Sequence, residues 1–418
     1  MRCGARASEY PMAFMNLKFA LLNLARQKAR TGMTLASIVF GVVGLILSGG
    51  FVEDIYIQLR EATIHSQLGH LQVNAQGYAA NAAREPYGHL IAAPEKLQAK
   101  IAAVPGVTDT LVRLNFFGLI NNTKTDLPIV GEGVEPAKEA KLGSYLTLIE
   151  GRTLTDKDAY GILLGEGVAK SLNLQVGTFV TVMANTPDGA LNTLEFEIVG
   201  VFRTFSKDFD ARAVRVALPA AQELVNVSEV HTIVVSLADT LTTQTSATDV
   251  RRVLASDAMD VRTWIELDDF YAKTVDLYES QFGVLQFIIL LVVLLSVANS
   301  VNMSAYERVG EFGTLKALGK TSRDIAWLII IENSLLGLIG ATLGLGLGVA
   351  LALGISAVGI PMPPPPNSNA GYTAYIRLVP LVLTQSFLIG LGASVLSSFL
   401  AARGAARVPV VDALRQNI

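Results

Sequence analysis

Four stretches of this chain are almost free of charge. They cover residues 33–51, 283–304, 325–358 and 379–401, and the third is broken by Glu332 and Asn333. A bilayer core takes about 20 apolar residues to cross as a helix. Each stretch is therefore read as a membrane span. The spans are set at residues 32–51, 283–304, 325–358 and 379–401. The first follows basic residues, as a signal peptide would, but it is too long for one and no small-residue cleavage site follows it. It is read as a retained helix.

Between spans one and two lie residues 52–282, a stretch of ordinary globular patterning. Its β-branched runs predict strands at residues 70–74, 109–119, 127–133, 179–183, 194–201, 214–218 and 232–235. Helices are expected at 94–104, 166–172, 220–225 and 247–255. Hairpins mixed with helical crossovers suggest an α+β domain in two lobes. Residues 52–67 can prolong span one as a helix, and residues 266–281 can run as a helix into span two. The fold class expected is a four-helix membrane protein with a large two-lobed α+β extracytoplasmic domain between helices 1 and 2.

Lys and Arg set the orientation, because they accumulate on the cytoplasmic side. They cluster before span one (Arg2, Arg6, Lys18, Arg26, Lys28, Arg30), between spans two and three (Arg308, Lys316, Lys320, Arg323) and after span four (Arg403, Arg407, Arg415). The loop between spans three and four, residues 359–378 with a Pro-rich run at 361–366, has only Arg377. Both termini, the loop 305–324 and the tail 402–418 are therefore expected in the cytoplasm. The 52–282 domain and the Pro-rich loop face outward, which in a bacterium is the periplasm. Residues 15–31 place Leu17, Leu21 and Leu24 on one face and Lys18, Arg26 and Arg30 elsewhere, which suits a helix on the inner leaflet. Residues 1–14 read as disordered, or as a mis-set start ahead of Met15.

Composition agrees with this partition. The 418 residues are 51% hydrophobic and 17% charged, against about 25% charged in soluble domains. The net charge of −3 hides two populations. Residues 52–282 hold 19 basic and 30 acidic side chains, a net of −11, and the remainder holds 14 and 6, a net of +8. No broad basic surface is left for nucleic acid. The single cysteine, Cys3, excludes an intrachain disulfide framework and a cysteine zinc site.

Motifs for chemistry are scarce. Gly319-Lys320-Thr321 has the ending of a phosphate loop, but the required earlier glycine position is Thr314, and no strand precedes it. The four histidines, His65, His70, His89 and His231, include no H-x-x-x-H pair and read as solvated or hydrogen-bonded rather than metal ligands. No G-x-S-x-G is present. The expectation is a non-enzyme with no cofactor of its own, so that any use of ATP and Mg belongs to a separate chain.

The loop between spans two and three is more informative. Val309, Phe312, Leu315 and Leu318 recur every three residues, which can form an apolar stripe on a short helix, with Glu307, Arg308, Glu311 and Lys316 on other faces. It reads equally as a solvated turn or as a docking helix for a cytoplasmic partner. Glu332 lies roughly 10–12 Å into span three at 1.5 Å per residue. It is either a proton-linked or gating residue or, as expected here, a carboxylate paired within the bundle, with Asn299, Ser300 or Asn302 as partners. Gly340, Gly344 and Gly348 are spaced for close helix packing, within the chain or between chains.

These stretches together resemble the bacterial permease family that includes the macrolide-export, lipoprotein-releasing and cell-division permeases. The resemblance spans nearly the whole chain. It rests on FALLNLARQKARTGMTLASIVFGV (19–42), ILLGEGVAKSLNLQVGTFVTV (162–182), FEIVGVFRTFSKDFD (196–210), ERVGEFGTLKALGKTSRDI (307–325), IENSLLGLIGATLGLGLG (331–348) and ARGAARVPVVDALR (402–415). The 307–325 signature has Phe312 where the family usually has Ile. The resemblance implies a half-transporter. A second permease chain would complete a homo- or heterodimer, and a cytoplasmic ABC ATPase subunit would dock through Glu307, Arg308, Glu311, Phe312, Leu315, Lys316 and Leu318. Membrane lipid and a periplasmic carrier or adaptor complete the implied partners. The HLQVN segment and the chain length point to the lipoprotein-releasing group. The implied function is release of a lipidated or amphipathic substrate by mechanotransmission. Drug, toxin or peptide efflux, or mechanical control of a periplasmic enzyme, are the alternatives.

Overall fold

A computed structural model of the chain describes residues 28–82, 84–142, 146–364 and 371–405. The N-terminal surface helix lies outside these residues, except for 28–31, which begin span one, as does most of the tail 402–418. Among the described residues, four helices are long and apolar enough to cross a membrane. Span one lies in Lys28–Thr63, span two in Asp269–Glu307, span three in Ser322–Val358 and span four in Pro380–Ala405. The chain divides into a helical unit (residues 1–56, 276–360 and 373–418) and an α/β unit (57–275 and 361–372).

In the helical unit, small residues let the spans approach. A Cβ on Gly340, Gly344 or Gly348 would come within 2.8–3.0 Å of Ile38, Val42 or Ile46 on span one. The glycine stripe therefore packs span three against span one of the same chain. Hydroxyls join the remaining helices. Ser296 Oγ donates to Ser37 Oγ at 2.8 Å, and Thr34 and Ser300 also share a hydrogen bond, tying span one to span two. Ser394 Oγ donates to the Asn333 carbonyl (2.7 Å), and Ser397 Oγ donates to the Leu294 carbonyl (3.1 Å), so span four touches spans three and two. At the other end, Asp54 of span one is fully buried. It accepts from Arg377 Nε at 2.7 Å and the Tyr375 N–H at 2.9 Å. The Arg377 N–H donates to the Gly50 carbonyl, where a side chain would collide with the Arg377 backbone.

The α/β unit is built on one ten-stranded sheet: β1 (Leu71–Ala75), β2 (Val107–Asn121), β3 (Asp126–Val134), β4 (Thr147–Gly151), β5 (Gly161–Gly165), β6 (Phe179–Asn185), β7 (Leu191–Arg203), β8 (Ala213–Ala217), β9 (Thr232–Leu237) and β10 (Met259–Thr263). Its order is β10-β1-β9-β2-β3-β8-β5-β7-β4, with β6 paired to β2 and β7. Pairing is antiparallel except between β3 and β8 and between β5 and β7. Two hydrophobic clusters make the two lobes. One joins Leu114, Phe116, Leu164, Phe196 and Val216 to the helices Glu166–Leu172 and Leu218–Val225. The other joins Leu71, Ile233, Val235 and Val261 to the helices Pro94–Ala102 and Thr243–Val253. The long strand β2 serves both lobes. The edge strand β4 is exposed throughout and bulged between Leu148 and Glu150. On the opposite edge, the β10 carbonyl of Val261 accepts from Arg251 Nε and Nη2.

All seven expected strands are present. Strands β4, β5 and β10 are additional, as is the helix Pro136–Leu142. Strand β5 (GILLG) is buried at every position, so it carries no alternation to read.

Two buried histidines serve the backbone of the α/β unit. His231 Nδ1 accepts from the Asn115 N–H, and its Nε2 donates to the Pro86 carbonyl. His70 Nδ1 accepts from the Leu237 N–H, and its Nε2 bonds Thr240 Oγ1. Burial, reinforced by nearby His65, lowers the His70 pKa to about 4 from 6.5. Burial also lowers that of His231.

Two predictions follow from this packing. Gly344→Val should lower stability by about 1–3 kcal/mol through overpacking against Val42. Gly346→Val, with open space at its Cβ, should change it by less than about 0.5 kcal/mol; thermal unfolding in detergent compares them. The second concerns pH. Because the unfolded chain binds protons at His70 more readily than the fold does, stability is full above pH 6.5 and falls as pH drops toward about 4. The loss is about 3 kcal/mol at most, at about 1.4 kcal/mol per unit. His70→Gln should flatten that slope in a pH series of unfolding midpoints.

Candidate functional site

The segment after span two carries the most organised charge in the helical unit. Span two stops at Glu307, and Arg308 leaves the helical region at φ −99° and ψ 11° before a short helix begins, Val309–Ala317. This helix ends with Gly319 at φ +95°, while the Gly319 N–H donates to the Lys316 carbonyl and the Lys320 N–H to the Leu315 carbonyl. That is the Schellman arrangement, which needs a left-handed residue that glycine supplies without strain. Two residues later Thr321 caps span three. Its Oγ1 accepts from the Asp324 N–H, and Asp324 Oδ2 accepts from the Thr321 N–H. Gly319-Lys320-Thr321 is thus a helix stop followed by a helix start, with each residue explained by capping.

Arg308 holds this hairpin to the bundle. Its Nη1 donates to Glu332 Oε2 at 2.8 Å and its Nε donates to Glu311 Oε2 at 3.0 Å. Its guanidinium lies 5.3 Å from the Phe312 ring centre. The Arg308 and Glu332 side chains are only 10% and 11% exposed. Glu332 therefore does pair within the bundle, but with Arg308 rather than with Asn299, Ser300 or Asn302. The pairing was legible in principle: a carboxylate inside a span needs a partner, and Arg308 stands just past the end of span two.

The apolar stripe is divided. Val309 and Phe312 are buried, and Phe312 packs among Val301, Ile325 and Ile329. Leu315 is half-buried against the same cluster, and Lys316 is half-buried. Leu318 is 78% exposed, and Tyr306, Glu307 and Glu311 are also exposed. The expected outward ridge is thus mostly an inward anchor. The exposed face includes Tyr306, Glu307, Thr314, Ala317 and Leu318, with Glu311 exposed but bonded to Arg308. Gly340, Gly344 and Gly348 stand further along span three, facing span one, and are not part of this site. Among the described residues no cluster of three His, Cys, Asp or Glu is disposed to hold a metal.

Comparison with known proteins matches residues 31–253 to the family described as MacB-like periplasmic core domain, and residues 283–410 to the family described as FtsX-like permease C-terminal. An uncharacterized ABC transporter permease of Methanocaldococcus jannaschii is 26% identical, over 96% of this chain and 97% of its own length. The lipoprotein-releasing system transmembrane protein LolC of Neisseria meningitidis is 23% identical, over 77% of this chain and 79% of its own. The periplasmic region of MacB from Actinobacillus actinomycetemcomitans is similar at 12% identity, covering 50% of this chain and 94% of that one with a TM-score of 0.36.

Removing one partner of a buried pair costs about 3–5 kcal/mol, whereas removing both costs far less. Arg308→Met should therefore destabilise the chain by about that amount, and adding Glu332→Met should restore at least half of it. A double-mutant cycle on unfolding in nanodiscs measures the coupling.

Proposed function

The chain belongs to the FtsX/MacB/LolC family of ABC transporter permeases, and on that footing we propose that it is the membrane subunit of an ATP-driven complex that releases a lipidated or amphipathic substrate from the membrane. The observation that carries this reading is the hairpin 308–318. It is fastened by charge to span three and leaves Leu318 exposed, beside the exposed Tyr306 at the end of span two. A surface held in that way suits capture of a cytoplasmic ABC ATPase subunit, whose ATP and Mg supply the work; this chain itself needs no cofactor and performs no hydrolysis. The Lys and Arg distribution supports cytoplasmic termini and a periplasmic α/β unit in a bacterial inner membrane.

Mechanotransmission is the mechanism that the secondary structure favours. The helix Lys28–Thr63 enters the α/β unit and the helix Asp269–Glu307 leaves it, each without a break between its ends. ATP-driven movement at the hairpin would shift the spans, and these helices would carry the shift outward. A second copy or a related permease would supply the other half of the complex, and a periplasmic carrier or adaptor would receive the substrate. Similarity to a lipoprotein-releasing protein favours a lipidated substrate.

Co-purification with a cytoplasmic ABC ATPase subunit from the same cell tests the docking role. Leu318→Asp, on a side chain that is largely exposed, and Glu311→Lys should each weaken ATPase capture at least ten-fold. Undiminished capture by both would sink the assignment. Depletion of the protein should leave lipoproteins stranded in the inner membrane. Normal lipoprotein sorting together with altered drug susceptibility would favour efflux instead. Recovery of a periplasmic hydrolase by crosslinking would favour enzyme control.

A further inference from the structure

Past Thr63 the first stalk widens into a π-helical turn, Ile64–Leu68, that ends at Gly69 with φ +68°. The Gly69 N–H reaches back five residues to the Ile64 carbonyl at 2.8 Å. The carbonyls that follow face the α/β unit. The carbonyl of Ser66 accepts from Arg215 Nη2 at 3.1 Å, that of Gln67 accepts from Arg113 Nη1, and that of Leu68 accepts from Gln72 Nε2 at 3.0 Å. A helix end exposes carbonyls that lack ladder partners and carry the negative pole of the dipole. Here two cations complete it.

Both arginines are buried, at 3% and 1% exposure for Arg113 and Arg215. Two carboxylates orient them. Arg113 Nη2 lies 2.6 Å from Glu139 Oε1, Arg215 Nε lies 2.8 Å from Glu132 Oε2, and Arg215 Nη1 lies 3.2 Å from Glu139 Oε1. Burial opposes ionisation of Glu132, but Arg215 and Arg113 outweigh it and hold its carboxyl below the usual range. The Arg215 guanidinium also covers the Phe202 ring at 5.5 Å.

Their positions in the sheet matter most. Arg113 is the β2 residue where partners change: it pairs with Thr232 of β9 on one side and begins the ladder with Val134 of β3 on the other. That is the seam between the lobes. Arg215 stands on β8 beside Glu132 of β3. One turn of the stalk is thus bonded to strands on both sides of β3 by two buried guanidiniums.

We propose that Arg113 and Arg215 are positioning residues that deliver displacement of the first stalk to the seam between the two lobes. The proposal rests on the mechanotransmission reading, and its test separates the two. Spin labels at Ser171→Cys in one lobe and Gln244→Cys in the other, on a Cys3→Ser background, report lobe separation. The full chain is reconstituted in nanodiscs with its ATPase subunit, with and without non-hydrolysable ATP. The parent should change its distance distribution on nucleotide binding. Arg113→Met with Arg215→Met should cut that change at least two-fold while ATP hydrolysis stays within about two-fold of the parent. An undiminished change in the double variant would overturn the joint and leave the transport reading intact. No change in the parent would overturn the transport reading and the joint together. If the methionine pair does not fold, Arg113→Lys with Arg215→Lys carries the test. It keeps both charges against Glu132 and Glu139 but loses the fork that holds a carboxylate and a stalk carbonyl at once, and it should show the same loss.

Discussion

A guanidinium keeps its charge at any physiological pH, and a charge taken out of water must meet an opposite one. That constraint organises this protein at three places. Arg308 meets Glu332 where span two gives way to the hairpin. Asp54 meets Arg377 where span one passes the segment leading to span four. Arg113 and Arg215 meet Glu132 and Glu139 where the first stalk enters the sheet. In each case the paired residues come from different elements of the fold. Apolar packing brings elements together but tolerates sliding. A buried ion pair has a narrow geometry, so it fixes which end meets which. The glycine and serine contacts among the spans supply close approach, and the charged joints supply register.

Much of this was legible in the sequence, for reasons that differ by element. The spans were legible because a bilayer sets a length that few soluble segments match. The helix Glu166–Leu172 has the bounds that the sequence predicts, with Gly165 before it and a left-handed Asn173 after it. Strand β5 was missed because all five of its residues are buried, which removes the period-two signal. Strand β10 was missed because Asp260 and Arg262 leave it only one buried apolar residue, Val261. The residues Val309, Phe312, Leu315 and Leu318 recur every three positions, but the fold buries the first two and leaves Leu318 exposed. Which way they face depends on the burial of Arg308, a tertiary fact that spacing does not encode. The quartet around Arg113 was invisible for the same reason. Its members lie on β2, β3, β8 and one short helix, and strand order alone brings them together.

The hairpin also shows how a short segment can be held in place without a core of its own. Nine residues of helix have little stability in isolation. Here the helix has a glycine stop, a threonine start immediately beyond it, and an arginine at its head that reaches into span three. A partner that binds the open face meets a surface ordered in advance, so little conformational entropy remains to be lost on docking.

The two ends of the large sheet carry a further consequence. An open sheet presents unpaired backbone groups at its edge strands, and another molecule can pair with them. At one edge β4 is bulged between Leu148 and Glu150, which interrupts a straight ladder. At the other, Arg251 already occupies the Val261 carbonyl of β10, and Asp260 and Arg262 place charges along the strand. Proteins anchored in a membrane diffuse in two dimensions with their domains held at one height, which raises the frequency of side-by-side encounters. Edges blunted in this way offer little for the sheet of a neighbouring copy to pair with.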